Sequence, residues 1–333
     1  MRRRLIGFAF VVILSRVAAV MADAPLPEVK GVIALDGVEG RIDHFAVDEK
    51  AGRLYVAALG NHTVEVLDPV AGKRVTTLKG LEEPQGIAAM PDLGRFAVAS
   101  GSDGKVRIYD AADFSVKAEL TDLDDADNVR YDAKANEIVV GYGRGALAFI
   151  DPAKGRVVRE VKLAGHPESF QLEKDGARIF VNVPSAGHVA VVDRGKGAVV
   201  ATWPIREAKG NFPMALDETH HRLLIGCRNP ARLVVLDTES GRATANVEIV
   251  GDTDDVFYDA ELARVYVSGG SGSVTLVQQK GADLYEVLAN VKTAAGARTS
   301  YFVPAMRRLF VAVPHRGDQR AEVRVMETGM ARR

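Results

Sequence analysis

Histidine and carboxylate side chains gather just ahead of several short apolar runs in this chain. One run follows Asp43 and His44, and a second follows Asp127. A third follows His166 and Glu168. Imidazole and carboxylate groups are ligands for divalent metals, and they also bind small polar molecules. The sequence therefore predicts a polar site, provided that the fold brings these segments together.

The elements that must position these segments form a repeat. A motif of the type Arg-Leu-Tyr-Val occurs seven times, from 53–56 to 308–311, in steps of 41 to 44 residues. Each copy contains four strand-like runs of about five residues separated by turns. A four-stranded antiparallel unit repeated seven times predicts an all-β fold, the seven-bladed β-propeller.

The ends of the chain predict how the ring closes. The seventh copy has a third strand at 323–327, but no fourth strand follows it. A spare strand-like run at 32–35 precedes the first copy. We therefore predict that this N-terminal strand pairs beside 323–327 and completes the last blade, which leaves no open sheet edge.

Aspartates at the ends of third strands have a structural explanation. Five copies end this strand in an aspartate, and the side chain of such a residue accepts hydrogen bonds from the backbone of the following turn. These residues are Asp68, Asp110, Asp151, Asp193 and Asp237. We predict turn caps here and no functional site.

One face of the predicted ring is richer in ionisable groups than turns require. The loop before each first strand and the loop between the second and third strands emerge on this face, over the central channel. Basic groups of the seventh and first copies are predicted to form one wall of the channel mouth, and Asp127, His166 and Glu168 the other. Such a mouth suits an amphoteric or anionic small ligand. The candidate ligand-binding residues are Arg41, Asp43, His44, Asp127, Asn128, His166, Glu168, Asn211, Arg228, Asp254, Arg298, His315 and Arg316.

A divalent metal is an open alternative for the same face. The candidate ligands are His44, His166 and His315 with Asp127, Glu168 or Asp254. They are not closely spaced along the chain, so the sequence leaves the cofactor undecided. No Gly-x-Ser-x-Gly motif of a serine nucleophile occurs, and the sequence assigns no catalytic residue.

The N-terminus predicts export. Three arginines follow Met1, an apolar run extends from Leu5 to Leu14, and small residues lead to Ala22. This pattern predicts a signal peptide over 1–22 and a single propeller domain over 23–333, in the periplasm or secreted. Without the arginines of the signal peptide the formal charge falls from −1 to −5. The acidic charge disfavours nucleic acid as a partner. We expect a monomer without membrane insertion.

The segment at 55–68 reads Tyr-Val-Ala-Ala-Leu-Gly-Asn-His-Thr-Val-Glu-Val-Leu-Asp and resembles the repeat of the YVTN-family β-propellers. This family includes YncE-like bacterial periplasmic proteins. The resemblance extends over nearly all of 32–327 and implies a seven-bladed ring in an exported protein. It implies no catalytic motif, because the matching residues are strand and turn positions.

Two classes of function follow from the sequence. The first is a binding or scaffold protein of the cell envelope, with a small molecule at the channel mouth or an envelope protein as its partner. The second is a metal-assisted lactonase or lyase acting at the mouth. Propeller lactonases generally hold calcium with Glu, Asn and Asp residues of several inner strands, although they usually have six blades. The matching residues here are Glu168, Asn128, Asn211 and Asp254.

Overall fold

The computed structural model describes residues 25–330, which form seven four-stranded antiparallel sheets. The first strand, β1 (Glu28–Ala34), belongs to the last blade. Blade 1 contains β2 (Phe45–Asp48), β3 (Arg53–Ala58), β4 (Thr63–Asp68) and β5 (Lys73–Leu78), and blade 2 contains β6 (Pro84–Met90), β7 (Arg95–Ser100), β8 (Lys105–Asp110) and β9 (Val116–Leu120). Blade 3 contains β10 (Val129–Asp132), β11 (Glu137–Tyr142), β12 (Ala146–Asp151) and β13 (Arg156–Lys162), and blade 4 contains β14 (Phe170–Leu172), β15 (Arg178–Val183), β16 (His188–Asp193) and β17 (Ala198–Pro204).

The remaining blades follow the same order. Blade 5 contains β18 (Lys209–Asp217), β19 (Arg222–Asn229), β20 (Ala231–Asp237) and β21 (Ala243–Glu248), and blade 6 contains β22 (Thr253–Asp259), β23 (Arg264–Gly269), β24 (Ser273–Gly281) and β25 (Leu284–Lys292). Blade 7 contains β26 (Ser300–Val303), β27 (Arg308–Val313), β28 (Glu322–Glu327) and β1. Short 3-10 turns span Leu59–Asn61, Pro91–Leu93, Pro184–Ala186 and Pro304–Met306. The prediction of seven four-stranded blades is confirmed.

Burial explains why the second strand carries the visible repeat. In β3 every residue after Arg53 is buried, whereas the outer strand β17 alternates between exposed and half-buried residues. A strand enclosed between two neighbouring blades is apolar on both faces, and an outer strand is only partly covered. One apolar cluster fills each gap between successive blades, such as the stacked rings of Tyr55 and Phe96 between blades 1 and 2.

The seam of the ring lies inside blade 7. Strand β1 pairs antiparallel with β28, from Glu28 opposite Glu327 to Ala34 opposite Glu322. Ile33 is buried in the cluster that joins blades 7 and 1. The predicted closure by 32–35 is therefore confirmed, and the strand begins four residues earlier than predicted.

The antiparallel order puts the connections on two faces. We call the face with the loops before first strands and between second and third strands the channel mouth, and the opposite face the turn face. On the turn face, Asp68 Oδ1 accepts hydrogen bonds from the backbone N–H groups of Val70 and Ala71, at 3.0 and 2.8 Å. The same caps occur at the other four aspartates predicted to end third strands. The turn-cap prediction is confirmed.

Three further features lie outside the channel mouth. The predicted signal peptide over 1–22 lies outside the described residues. Between residues 25 and 330, no helix has the length and apolar character needed to cross a membrane. Cys227 is a buried free thiol in β19, among apolar side chains.

Candidate functional site

The strand register puts equivalent residues of all blades at the channel mouth. Phe45 in β2 pairs with Val56, and each first strand has a corresponding pair. Two residues before that position, the blades in order carry Asp43, Gln85, Asp127, Glu168, Phe212, Asp254 and Arg298, which we call the first ring. The next position gives the second ring, His44, Gly86, Asn128, Ser169, Pro213, Asp255 and Thr299. Four of the seven first-ring residues are carboxylic acids.

Backbone contacts fix the position of these rings. Asp43 N–H donates to the carbonyl of Ala57 at 2.7 Å, and Asp127 N–H donates to the carbonyl of Gly141 at 3.0 Å. Gly86 in the second ring allows a close approach of blades 2 and 3, because a Cβ there would lie 2.0 Å from the carbonyl oxygen of Asp127. The mouth is therefore held by backbone pairing, so its side chains project from rigid strand ends.

His44 lies between carboxylates of blades 3 and 6. Its Nε2 is 3.9 Å from Asp127 Oδ1, and its Nδ1 is 3.7 Å from Asp255 Oδ1. The amide nitrogen of Asn128 lies 3.4 Å from the same Nε2. Burial lowers the pKa of His44, but the nearby carboxylates, Asp43 first, outweigh burial and raise the pKa to about 10.

Asp127 separates His44 from a second imidazole. His166 Nε2 is 3.9 Å from Asp127 Oδ2, and His166 Nδ1 lies 2.7 Å from the carbonyl oxygen of Gly143. Asp127 raises the pKa of His166 to about 9, and burial opposes this shift. Burial would raise the pKa of Asp127, but the two imidazoles outweigh it and lower that pKa. One oxygen of Asp127 thus faces each imidazole.

Two other carboxyl groups of the first ring have raised pKa values. Burial, with repulsion from Asp127, raises the pKa of Glu168 to about 7. Burial, with repulsion from Asp43, raises the pKa of Asp254 to about 7, although Arg228 opposes the shift. Both shifts therefore reflect burial together with a neighbouring carboxylate.

The basic groups are paired with nearby carboxylates. Arg41 Nη2 is 3.0 Å from Asp43 Oδ1 and 3.8 Å from Asp254 Oδ2. Arg228 binds Asp254 and lies over the Phe212 ring, 3.7 Å from its centroid. The prediction of a cationic wall facing an acidic wall is wrong, because carboxylates of blade 6 alternate with the arginines of blades 1 and 5.

Four predicted site residues make their contacts away from this cluster. Arg298 pairs with Asp252 at 2.8 Å, and His315 pairs with Glu39 at 2.7 Å. Arg316 is exposed, and its backbone pairs with Gln319. Asn211 is buried and donates to Asn182 Oδ1 at 2.9 Å and to the carbonyl of His188 at 3.1 Å. These hydrogen bonds from the Asn211 side chain join blades 4 and 5, which gives Asn211 a structural role.

Several buried acceptor atoms at the mouth have no hydrogen-bond partner among residues 25–330. They are Asp43 Oδ2, Asn128 Oδ1 and Asp254 Oδ2, in residues that are 0%, 2% and 8% exposed. Buried polar atoms are normally hydrogen-bonded. Two sets of three potential metal ligands also occur here, Asp43–His44–Asp127 and Asp127–His166–Glu168, and the ligand atoms of each set lie within 4.8 Å of one another.

Below the mouth, the first strands of all seven blades enclose a cavity of about 430 Å³. His44 and Asp255 line it, together with Arg130 and Tyr301. Arg130 donates to the carbonyl of Val129 at 2.9 Å and to Ser169 Oγ at 3.4 Å, and the part of the chain that the structure describes provides no carboxylate ion pair for it. Burial lowers the pKa of Arg130.

Sequence reasoning missed Arg130, although a signal was present. The equivalent position is alanine in three other blades, at Ala46, Ala88 and Ala215. An arginine among small residues on the inner strands indicates a special role. Tyr301 occupies this position in blade 7 and was missed as well.

Comparisons with known proteins identify the fold. No protein-family model and no curated protein matches the chain. A chain of hydrazine synthase from Kuenenia stuttgartiensis is similar in structure, with a TM-score of 0.74 and 15% identity over 84% of this chain and 95% of that chain. The WD40 repeats of RRP9 give a TM-score of 0.79 and 12% identity over 92% and 99%. A chain of the mitotic checkpoint complex gives 0.76 and 12% over 98% and 99%. At these identities the likeness establishes the fold alone: the chain is a seven-bladed, WD40-like β-propeller.

Proposed function

We propose that this protein is an exported binding protein of the cell envelope that takes up a small amphoteric or anionic molecule in its central channel. The observation that carries the proposal is Arg130, a half-buried guanidinium that lines the cavity with no carboxylate ion pair within residues 25–330. A cation that is partly withdrawn from water gains from a direct ion pair, and a bound carboxylate would supply one.

The size and polarity of the cavity support this proposal. Small-molecule sites commonly have volumes of about 300–1,000 Å³, with a few polar groups on an apolar lining. The cavity of about 430 Å³ is lined by alanines, aliphatic side chains and aromatic rings, with Arg130, Gln171 and Ser300 among its polar residues. An acid group on Arg130 would leave an amine or hydroxyl group of the ligand free to meet the carboxylates of the mouth.

Export and family membership belong to the same proposal. The basic, apolar and small-residue pattern over 1–22 and the resemblance to YVTN-family repeats support a periplasmic or secreted protein. N-terminal sequencing of protein from the cell envelope tests export, and we expect a mature chain that starts near Asp23. A chain that keeps Met1 and stays in the cytoplasm would overturn this part.

Calorimetry with a panel of amino acids, hydroxy acids and dicarboxylates tests the anion site. The matched variants are Arg130→Gln in the channel and Arg298→Gln at the rim, where the guanidinium already pairs with Asp252. A charged hydrogen bond contributes about 1.5–3 kcal/mol, so Arg130→Gln should weaken binding roughly tenfold to a hundredfold. Arg298→Gln should leave the affinity unchanged. Equal effects of the two variants, or no binding of any compound, would contradict the proposal.

A further inference from the structure

One acceptor atom each of Asp43 and Asn128 is buried without a hydrogen-bond partner among residues 25–330. Asp43 uses Oδ1 for Arg41, at 3.0 Å, and leaves Oδ2 without a hydrogen bond. Asn128 Oδ1 is likewise unpartnered, while its amide group lies against both His44 and Asp127, at 3.4 Å from each. Both residues are almost fully buried, so only a small group held inside the channel mouth can reach these atoms.

Distances within this group suit a shared ion. His44 Nε2 and Asp127 Oδ1 are 3.9 Å apart, and ligand atoms of Asp43, His44 and Asp127 all lie within 4.8 Å of one another. An N–H···O hydrogen bond needs about 2.7–3.2 Å. A first-row cation lies about 2.0–2.2 Å from each nitrogen or oxygen ligand, so two of its ligands are roughly 3–4 Å apart.

The donor set defines the kind of cation. We propose that Asp43, His44 and Asp127 bind a divalent first-row transition-metal ion such as Mn²⁺ or Zn²⁺. Imidazole nitrogen together with carboxylate oxygen suits these ions, whereas Ca²⁺ prefers ligands that are all oxygen. The site adjoins the anion site, because His44 and Arg130 line the same cavity, but Arg130 is not one of its ligands and the proposal does not depend on the anion.

A second group of residues orients the central carboxylate. His166 Nε2 faces the other oxygen of Asp127, and His166 Nδ1 lies 2.7 Å from the Gly143 carbonyl, to which it donates. Partners of this kind fix the direction of a metal-binding carboxylate and raise metal affinity. The ligands come from blades 1 and 3, so the ion would also join two blades that are not neighbours.

The test uses the mature chain, purified without a histidine tag and treated with a chelator. Calorimetry with MnCl₂ and ZnCl₂, and with CaCl₂ and MgCl₂ for comparison, should show one equivalent of Mn²⁺ or Zn²⁺ per chain and weaker binding of Ca²⁺ and Mg²⁺. Asp127→Asn should weaken this binding by more than about a hundredfold, since even outer partners of a ligand contribute roughly 10–100-fold. His44→Gln should also weaken ion binding, and it tests the site independently of Asp127.

Asp252→Asn is the matched control, because Asp252 is a carboxylate of the same face that is paired with Arg298. This variant should bind the ion like the unmodified protein, and the ion should raise the melting temperature of both. Asp127→Asn and His44→Gln should show no such rise, while their circular dichroism shows whether they are folded.

Three results would overturn the proposal: no ion binds, binding survives in both loss variants, or Ca²⁺ binds as tightly as Mn²⁺ and Zn²⁺. Repeating the organic acid panel on the chelated protein separates the two sites. Binding of an acid without any ion binding would leave Arg130 as the ligand site and remove the cation site. Ion binding without binding of any acid would leave the cation site and remove Arg130 as the ligand site.

Discussion

Asp259 on the turn face has both carboxylate oxygens hydrogen-bonded, whereas Asp43 at the channel mouth has one carboxylate oxygen without a partner among residues 25–330. Asp259, at the end of β22, accepts two bonds from Arg307, at 2.9 and 2.5 Å, and one from the Tyr266 hydroxyl at 3.0 Å. Asp43, at the opposite end of a first strand, has one hydrogen-bonded oxygen, and its other oxygen has no partner in the part of the chain that the structure describes. Both residues are almost fully buried, so exposure does not explain the difference.

The comparison distinguishes carboxylates that stabilise the ring from carboxylates that have an oxygen available to bind a ligand. A buried network whose members are all satisfied contributes to stability, and a partly satisfied network is unfavourable until something completes it. Residue type alone does not separate the two groups, because both are aspartates next to strand ends. Their partners separate them.

The largest expected effect is on the turn face. Asp259→Ala would leave the Arg307 guanidinium and the Tyr266 hydroxyl without their main partner. Breaking a buried ion pair from one side costs about 3–5 kcal/mol, so we expect a loss of that size in urea unfolding. Ion binding at the mouth should stay unchanged. A loss of stability no larger than that of a surface substitution would remove the distinction between the faces.

Gly86→Ala should have an intermediate effect on both stability and the mouth. The new Cβ would collide with the Asp127 carbonyl, so blade 3 must shift, and overpacking of this kind costs about 1–3 kcal/mol. Displacing Asp127 should also weaken ion binding. Gly281→Ala is the control, because a Cβ there meets nothing within 4 Å. Equal behaviour of the two variants would argue against Gly86 as a support of the site.

Glu168→Gln should raise stability, in contrast to the turn face. The pKa of Glu168 is raised to about 7, so the ionised form is disfavoured in the folded protein. Stability is therefore lost as the pH rises from the unfolded pKa of about 4.3 through 7. We expect a gain of about 0.5–2 kcal/mol at pH 8 that disappears near pH 4. Melting curves at both pH values measure it, and a destabilised variant at pH 8 would contradict the comparison.

Asp110→Asn should have the smallest effect, with the opposite pH dependence. Backbone N–H groups, that of Ala112 first, lower the pKa of Asp110. A depressed pKa stabilises the folded state above the unfolded value of about 3.9, and this contribution is lost as the pH falls. The variant should have a slightly lower melting temperature than the unmodified protein at pH 7. Under strongly acidic conditions the two melting temperatures should be equal. A difference that grows in acid would be inconsistent with a turn cap.

The sequence was sufficient for the fold because its signals are local. The Arg-Leu-Tyr-Val motif reports a strand that is covered on both faces, and the aspartates of third strands report turns a few residues long. The closing strand was predictable because the seventh copy lacked a strand and 32–35 supplied one. Only the start of β1, four residues earlier, was missed.

The site was only partly predictable because its contacts cross the ring. The sequence repeat correctly predicted that Asp43, His44 and Asp127 lie at the channel mouth. The pairing of Arg41 with Asp254 joins residues more than 200 positions apart, and no local pattern indicates it. Asn211 looked like a ligand because its bond to Asn182 in the neighbouring blade is visible only in three dimensions.

The closure of blade 7 has a consequence for the order of folding. Glu28 and Glu327 pair across about 300 residues, so their first contact carries a loop-closure penalty of roughly 5 kcal/mol. Hairpins inside the other blades join segments only a few residues apart and carry much smaller penalties. We therefore expect the β1–β28 pair to form last, after the other blades have stacked. The same pair is the natural place for the ring to open first, and its rate of opening sets the lifetime of the closed ring.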